Sequence, residues 1–590
     1  MRYLEFRRKI RNPINGFHLG RSMNALQLIK SKKAKALVIG GIILIISVVS
    51  TYTLTFNADA ENQYTISHKT LESGDGTLIQ ALMYTPVDTS SHRPGIVVGH
   101  GFCENKEYMQ PLSIELVKRG FIVVSIDFRG HGSSGGYLDN FGQSNGLVLD
   151  MLAGVEYLEG LGFVDKIGLA GHSMGGATSM LTASENPTRI NATVSIGALS
   201  TFSSSGNISK VPNLLAVYAL YDQGITREDG LNFLRSYTGE EDVQIGTLYG
   251  NFNGGNATKV AISPSSEHLL EPLNAAIIYE TVQWFEYAFN EAPATDVHLT
   301  VQYLIISLVS NLMGIILVLF VFASYLANYL FKREQIYPQT SIENSKFPIQ
   351  PIIGYLFAAT IGFILLIPLS VFFVDVAPIT MFNSVFAGQA VGLAFGVLII
   401  SILFSFKGHK LHLQDILVRI KEMISNSPFE SLLYGFVIGI VSIVAIMLLF
   451  DWSIVTSIPT TREIGVIFSL TFLLYPFFFM KEFYLRGFIQ ERLRHSSRIK
   501  EYFTMVVIAI LIDIAIFIPV MMIGWQTVTL SFVALALTAV TLFIIFQHVL
   551  TTWIYMNSGR NVLGSTLFYC IIFAWMVICF YPFGAPMMLL

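Results

Sequence analysis

Hydrophobic and polar positions divide the chain into three unlike stretches. Ala36 to Phe56 (ALVIGGIILIISVVSTYTLTF) carries no charge. As a helix rising about 1.5 Å per residue it spans a bilayer core of roughly 30 Å. From 57 to 299 the pattern becomes polar, rich in Gly, Asn and Ser, with short β-branched runs: IVVGH (96–100), FIVVSID (121–127), KIGLAGHS (166–173), ATVSIGA (192–198) and NLLAVYAL (213–220). Amphipathic stretches such as YMQPLSIELVKRG (108–120) and GLVLDMLAGVEYLEGLG (146–162) lie between them. Apolar strands alternating with helices predict a mostly parallel sheet with helices on both faces. Beyond Val301 long apolar runs return, at 301–331, 351–373, 386–406, 432–450, 464–480, 503–525, 527–557 and 562–580. In lipid the backbone must satisfy its own hydrogen bonds, so these are expected to be helices. The seventh is long for one upright span and reads as a tilted helix or as two elements.

Composition sharpens the picture. Hydrophobic residues make up 53% of the chain and charged residues only 13%, with a mean hydropathy of +0.57, against about 25% charged in soluble proteins. That excludes a disordered or nucleic-acid-binding chain and points to a membrane protein. Residues 1–35 hold ten Lys/Arg and one acid, Glu5, so 36–56 reads as an uncleaved signal anchor with its N-terminus inside. The segments 332–350, 407–431 and 481–502 carry three, four and six Lys/Arg, whereas 374–385, 451–463 and 524–526 carry only Arg462. This alternation predicts nine spans with 57–299 and the C-terminus outside. The expected organisation is a basic cytoplasmic arm (1–35), an anchor (36–56), an extracytoplasmic α/β domain (57–299) and an all-α polytopic membrane domain (300–590) of about eight helices. Three sequons, at Asn191, Asn207 and Asn256, fall in the outer segment and agree with that side. The three cysteines, Cys103, Cys570 and Cys579, include two in an apolar run and form no disulfide framework.

The chemistry centres on Gly171-His-Ser-Met-Gly-Gly176, which follows the strand run KIGLA and precedes the helix-like ATSMLTAS. In that context G-x-S-x-G is a sharp strand-to-helix turn that lifts the Ser173 hydroxyl out of the sheet's carboxyl edge; without it the motif is only a glycine-rich turn. A serine nucleophile needs a base and an acid to orient that base. Between Ser173 and Asn290 the one histidine is His268, just past an apolar strand-like run and before the helix-like NAAIIYETVQWFEYAF. Among Asp222, Glu228, Asp229, Glu240, Glu241 and Asp242, Asp222 alone directly follows a strand run (NLLAVYALYD), at the edge where ligands gather. Asp229 belongs instead to a polar helix-like segment. For the developing oxyanion, the backbone N–H groups of Phe102, after the strand run ending at His100, and of Met174 are the expected donors. His100 reads as a loop-holding residue, Arg129 and His131 as braces for neighbouring loops, and Cys103 as a wall residue.

HGF, DFRGHGSS, GHSMGG, LYD and SEHLLEP occur here in the order and spacing of the α/β-hydrolase superfamily. Over about 64–290 the chain resembles its serine esterase, monoacylglycerol-lipase-like and aminopeptidase-like branch. The resemblance implies a Ser173–Asp222–His268 triad and an acyl-enzyme mechanism that uses no metal and no cofactor. Only 15 residues (ALSTFSSSGNISKVP) separate ATVSIG from NLLAVYAL, so a large lid is missing there, and the longer 223–262 predicts a small cap.

The membrane half contains FFFMKEFYLRGFIQERLR (477–494), which resembles the first motif of the CAAX-protease/bacteriocin-processing family, with Lys481 at the first glutamate and Glu482 and Arg486 retained. The histidine and asparagine of that family's last helix would fall at Tyr569 and Phe573, so its metal-binding and base functions are absent. Without the resemblance, Glu482 and Arg486 are expected to pair along one helix, and Asp513 and His548 to face the bundle interior or contact each other. The function expected of the whole is a membrane-bound serine hydrolase acting on ester or amide bonds of a small-molecule, lipid or peptide substrate outside the membrane. The alternatives are a transporter or lipid-handling protein carrying a hydrolase domain, and a pseudoenzyme binding module.

Overall fold

The computed structural model describes residues 32–51, 64–87, 92–138, 145–200, 207–289, 299–331, 347–376, 388, 391–400, 413–450, 459, 461–493, 497–524 and 528–579. Most of the basic arm, the link 52–63 and the segments 201–206 and 290–298 lie outside them.

An eight-stranded sheet organises the first half. Its strands are β1 (Tyr64–Glu72), β2 (Leu78–Pro86), β3 (Arg93–Gly99), β4 (Ile122–Ile126), β5 (Val164–His172), β6 (Ala192–Ile196), β7 (Leu214–Ala219) and β8 (Thr258–Ser263). They lie in the order β1-β2-β4-β3-β5-β6-β7-β8. The β1–β2 and β2–β4 pairings are antiparallel and the rest parallel. The central strands are apolar along their length because both faces are covered. On one face lie α2 (Gln110–Val117) and α6 (Ala275–Ala288), with Leu112, Ile114, Ile277 and Phe285 buried against Val98, Val194 and Leu215. On the other lie α3 (Gly146–Glu159), α4 (Met174–Glu185) and α5 (Arg227–Thr238), with Met151, Met180 and Phe233 against Val97, Leu169 and Ala216.

The expected parallel α/β core is present, with two differences. The hairpin β1–β2 extends the sheet beyond the predicted strands, turning at Ser73–Thr77, where Asp75-Gly76 supplies the left-handed residue (Gly76 φ 84°). The stretch 223–262 forms no cap. It holds α5 and β8, and α5 lays Phe233 and Leu234 onto the sheet as an ordinary crossover helix.

α1 (Lys32–Thr51) and α7 (Val301–Leu330) flank the α/β unit in sequence and pack side by side. Gly40 meets Gly314, and the Ser47 hydroxyl donates to the Ser307 carbonyl at 2.8 Å, so the two run antiparallel. The chain therefore enters and leaves the α/β unit at one end of the pair, and small residues let the backbones approach closely.

The rest is helical: α8 (Ile349–Val376), α9 (Val391–Ile400), α10 (Leu413–Ser425), α11 (Pro428–Phe450), α12 (Thr461–Tyr484), α13 (Arg498–Gly524), α14 (Val528–Asn557) and α15 (Val562–Cys579). The run 527–557 is thus one helix. Among the described residues four helices are long and apolar enough to cross a membrane, at 301–330, 428–448, 463–493 and 562–579. The other expected spans coincide with α1, α8, α9, α13 and α14.

Past α12 the helix widens into a π-turn at Leu485–Ile489, and Arg486 is wholly buried there. Its Nε donates to Glu482 Oε2 at 3.0 Å, and its terminal nitrogens donate to Gln490, Thr551 and Thr552. Breaking a buried pair by removing one partner strands the other charge, at a cost of about 3–5 kcal/mol. Arg486→Met is therefore expected to destabilise the helical half by about that amount, read as a lowered thermal midpoint in detergent. A variant as stable as the parent would show that the pair bears no structural weight.

Candidate active site

Register sets the site. Gly99, the last residue of β3, lies beside Gly171 of β5, and Ala219 of β7 lies beside Ser263 of β8. The loops leaving these four strands therefore emerge together at the sheet's carboxyl edge, where the strand order reverses around β3.

The turn from β5 to α4 is forced by its glycines. A Cβ on Gly171 would run into the carbonyl of Gly175, and one on Gly175 into the carbonyl of Gly99. Ser173 sits between them at φ 50°, ψ −113°, a strained conformation for a residue with a side chain. Its N–H donates to the Ile196 carbonyl at 2.7 Å, fixing the turn to β6. Gly171→Ala would push on backbone that cannot rotate aside. We expect it to slow modification of Ser173 by a serine-directed probe by about 100-fold in protein with unchanged circular dichroism. Labelling at the parental rate would show that the turn tolerates the methyl.

From Ser173 the hydrogen bonds run without a break. The Ser173 hydroxyl lies 2.9 Å from His268 Nε2, and His268 Nδ1 lies 2.7 Å from Asp222 Oδ2. Asp222 follows β7, and the N–H groups of Gly224 and Ile225 donate to its other oxygen at 2.6 and 3.1 Å. His268 opens a short 3-10 turn, His268–Leu273, after β8. The Tyr108 hydroxyl ties that turn to the loop before α2 by donating to the Leu269 carbonyl at 2.6 Å. Three of the residues singled out in the sequence thus meet in a single chain of contacts. Asp229 does not join them; it closes a capping box with Thr226 at the start of α5.

The two expected oxyanion donors lie on the loops that leave the neighbouring strands β3 and β5. Met174 is the first residue of α4, so its N–H has no carbonyl one turn back to pair with. Phe102 lies three residues past β3, in a loop held by Gly101, whose N–H donates to Glu104 Oε2 at 2.6 Å. His100 fastens that loop, donating from Nδ1 to the Gly101 carbonyl at 2.7 Å and accepting at Nε2 from Phe128 N–H at 3.0 Å. Arg129 braces the next loop through Asp150 and Asp75. His131 stacks edge-on to Phe102.

A second layer lies behind the serine. His172, wholly buried, donates from Nδ1 to Glu104, 2.8 Å from Oε1, and from Nε2 to the His268 carbonyl at 3.0 Å. Glu271 Oε2 lies 3.4 Å from His172 Nε2, and Glu271 Oε1 accepts from Ala219 N–H at 2.6 Å. One imidazole therefore links the loop of Phe102, the serine turn and the turn of His268. Burial alone would discharge it, but the charge and hydrogen bond of Glu104 lead the contacts that outweigh burial and push its pKa up to about 10, making it an imidazolium with two donors. Burial raises the Glu271 carboxyl. Burial also opposes charge on Asp222 and His268, but their mutual hydrogen bond wins, lowering the Asp222 pKa and raising that of His268. The donor atoms of His172, His268 and Glu271 lie within 4.8 Å of one another, the spacing of a metal site. Both nitrogens of His172 act as donors, however, and the one lone pair of His268, on Nε2, faces the Ser173 hydroxyl, so the imidazoles leave none for a metal.

Glu104, His172 and Glu271 escaped the sequence reading, although each lies inside a segment it had already singled out: GFCENK, GHSMGG and SEHLLEP. In the helical half, Asp513 and His548 do contact each other, with Nε2 donating to Oδ2 at 2.7 Å. Lys481 completes the group, donating to Asp513 at 2.6 Å and to Tyr569 at 2.9 Å. Where the CAAX-protease resemblance calls for an acid, a cation is neutralised instead.

Residues 90–220 match the serine aminopeptidase, S33, hydrolase family. The match takes in Ser173 and Phe102 and stops short of Asp222 and His268. Among solved structures, the chain is similar to the esterase Pf2001 of Pyrococcus furiosus (18% identity, 38% of this chain and 92% of that one, TM-score 0.30). It is also similar to Est1E of Butyrivibrio proteoclasticus with ferulic acid bound (18%, 38% and 98%, TM-score 0.29). A third is a predicted CIB-like hydrolase from Thermoplasma acidophilum (18%, 38% and 98%, TM-score 0.29). The eight-stranded sheet with its covering helices has the α/β-hydrolase fold, and the family match lies within it, over residues 90–220.

Proposed function

We propose that the protein is a membrane-bound serine hydrolase that cleaves an ester or amide bond by acyl transfer. The observation that carries this is the Ser173–His268–Asp222 hydrogen-bond chain, at 2.9 and 2.7 Å, beneath a strained nucleophile turn. In the proposed cycle His268 takes the Ser173 proton as Oγ attacks the substrate carbonyl. The N–H groups of Phe102 and Met174 receive the developing oxyanion. His268 then protonates the leaving group, and water, deprotonated by the same imidazole, releases the acyl group. Asp222 holds the ring in the tautomer that leaves Nε2 free to accept. The serine aminopeptidase, S33, family match over 90–220 agrees with a serine hydrolase.

The basic arm and the alternating Lys/Arg content of the later segments favour an inside N-terminus and an outer hydrolase unit. The antiparallel pairing of α1 with α7 suits a unit carried on one side of the membrane. The test is a fluorophosphonate applied to membranes containing the full chain. Labelling is expected from the outer face only. A protein that stays unlabelled, while a known serine hydrolase in the same membranes reacts, would favour a binding module. One observation favours the transporter alternative: the buried Lys481–Asp513–His548 group, of a kind that marks ion or proton paths in membrane proteins. Transport in vesicles that survives loss of Ser173 would favour it.

A further inference from the structure

We infer that the helical half forms one wall of the active-site mouth, so that the hydrolase draws its acyl group from an amphiphile held in the bilayer: a long-chain fatty acyl ester whose ester bond lies at the membrane surface. The inference rests on the serine-hydrolase reading and adds to it the substrate class and the route of entry.

Three contacts place the mouth. Phe102, whose N–H is the proposed oxyanion donor, packs both on the core of the α/β unit and on the apolar cluster of the helical half, and Cys103 beside it packs on that same cluster. That cluster is built from α7, α11, α12, α14 and α15, with Ile315, Tyr434, Leu474, Ile544 and Trp575 among its members. The turn His268–Leu273 lies against α14. The serine turn is thus flanked on two sides by loops that touch the membrane helices. These contacts are clamped. Glu115 of α2 accepts from both the N–H and the hydroxyl of Thr300 at 2.7 Å, and Lys118 donates to the same hydroxyl at 2.8 Å. The first residue before α7 is therefore bolted to the hydrolase, and the mouth cannot swing free of the helices without breaking buried charge-assisted bonds.

Among the exposed residues of the loops around the mouth, which include the polar Ser265 and Thr226, are large apolar side chains. Leu220 and Tyr221, directly before Asp222, are 54% and 65% exposed, and Leu270, two residues after His268, is 48% exposed. Large apolar side chains scattered singly mean little, but these sit on the two loops that carry the base and its acid, beside a wall continuous with bilayer-spanning helices. A small polar substrate leaves them bare to water, whereas an acyl chain rising from the bilayer can cover them while its ester reaches Ser173. Each buried methylene adds binding free energy, so selectivity should follow chain length. The reaction balances as hydrolysis. The Ser173 Oγ–acyl bond forms as the ester C–O bond breaks, His268 passes the serine proton to the departing alcohol, and water returns free fatty acid and serine.

The test uses the full chain in phosphatidylcholine vesicles, with 4-nitrophenyl butyrate as the soluble ester and 4-nitrophenyl palmitate held in the vesicle as the long one. The long ester is expected to be favoured by about tenfold or more in kcat/KM, with a rate that follows its mole fraction in the bilayer at constant bulk concentration. Leu270→Asp and Tyr221→Asp, both at exposed positions, are expected to lower the long-to-short ratio by about tenfold. Equal rates on the two esters, a rate that follows bulk concentration, preference for an aminoacyl 4-nitroanilide, or variants that lower both esters equally would each overturn the inference. In all of those cases fluorophosphonate labelling of Ser173 would leave the serine-hydrolase reading standing. Absence of labelling and of all hydrolysis would remove both.

Discussion

Replacing Ser173 with alanine is expected to abolish covalent labelling by a fluorophosphonate and to lower kcat/KM by about 10⁴-fold or more, on whichever ester or amide proves to be the substrate. The size of the loss follows from what the hydroxyl does. Without it no acyl-enzyme forms, and the site can only hold a carbonyl near the two N–H donors while water attacks unaided. The fold should barely register the change. The substituted alanine inherits the same φ of 50° and the same N–H bond to Ile196, and the only interaction lost is the 2.9 Å bond to His268, worth about 1 kcal/mol. Equal thermal midpoints with activity lost is therefore the expected pair of results. Activity retained within tenfold would mean that the nucleophile lies elsewhere.

How far the sequence foretells this site depends on where each residue's partners lie. β3 to β7 were legible because both faces of the sheet are covered, which makes each strand an uninterrupted apolar run. β1 was not, because it is an edge strand whose Thr, Ser, His and Lys positions are largely half-buried or exposed. Only the Asp-Gly turn after it gave a signal. The misreading of 223–262 has a similar cause. α5 is polar enough to read as a surface cap, yet Phe233 and Leu234 are enough to seat it on the sheet. Ser173, His268 and Asp222 stood out because each follows a strand at one edge. His172 did not, because its meaning lies in partners 68 and 96 residues away, and nothing local marks a histidine as a cation. In the helical half, Glu482 and Arg486 were legible as a pair four residues apart. The capture of Lys481 by Asp513, 32 residues on, needed the tertiary arrangement that brings Asp513 of α13 to Lys481 of α12.

The second large effect is expected from Asp222→Asn, and its pH dependence separates two candidate acids. His268 must be neutral to accept the Ser173 proton, so kcat/KM should rise with pH as the imidazole loses its charge. Burial lowers the His268 pKa, but the hydrogen bond and charge of Asp222 more than offset it and hold the pKa above the ordinary value of about 6.5. The acid limb of the parent profile is therefore expected above that value. With asparagine at 222 the charge that favours imidazolium is gone, and the amide can instead offer its N–H to Nδ1, fixing the wrong tautomer. The rate at neutral pH should fall by about 10⁴-fold, and whatever activity remains should show its acid limb at lower pH. Glu271 is the rival, because its Oε2 lies 3.8 Å from His268 Nδ1, against 2.7 Å for Asp222. Burial holds its carboxyl toward the protonated form, a poor state for stabilising an imidazolium. Glu271→Gln should therefore cost far less than Asp222→Asn and leave the acid limb nearly in place. If the two variants exchange these behaviours, Glu271 is the orienting acid and Asp222 only holds the loop after β7.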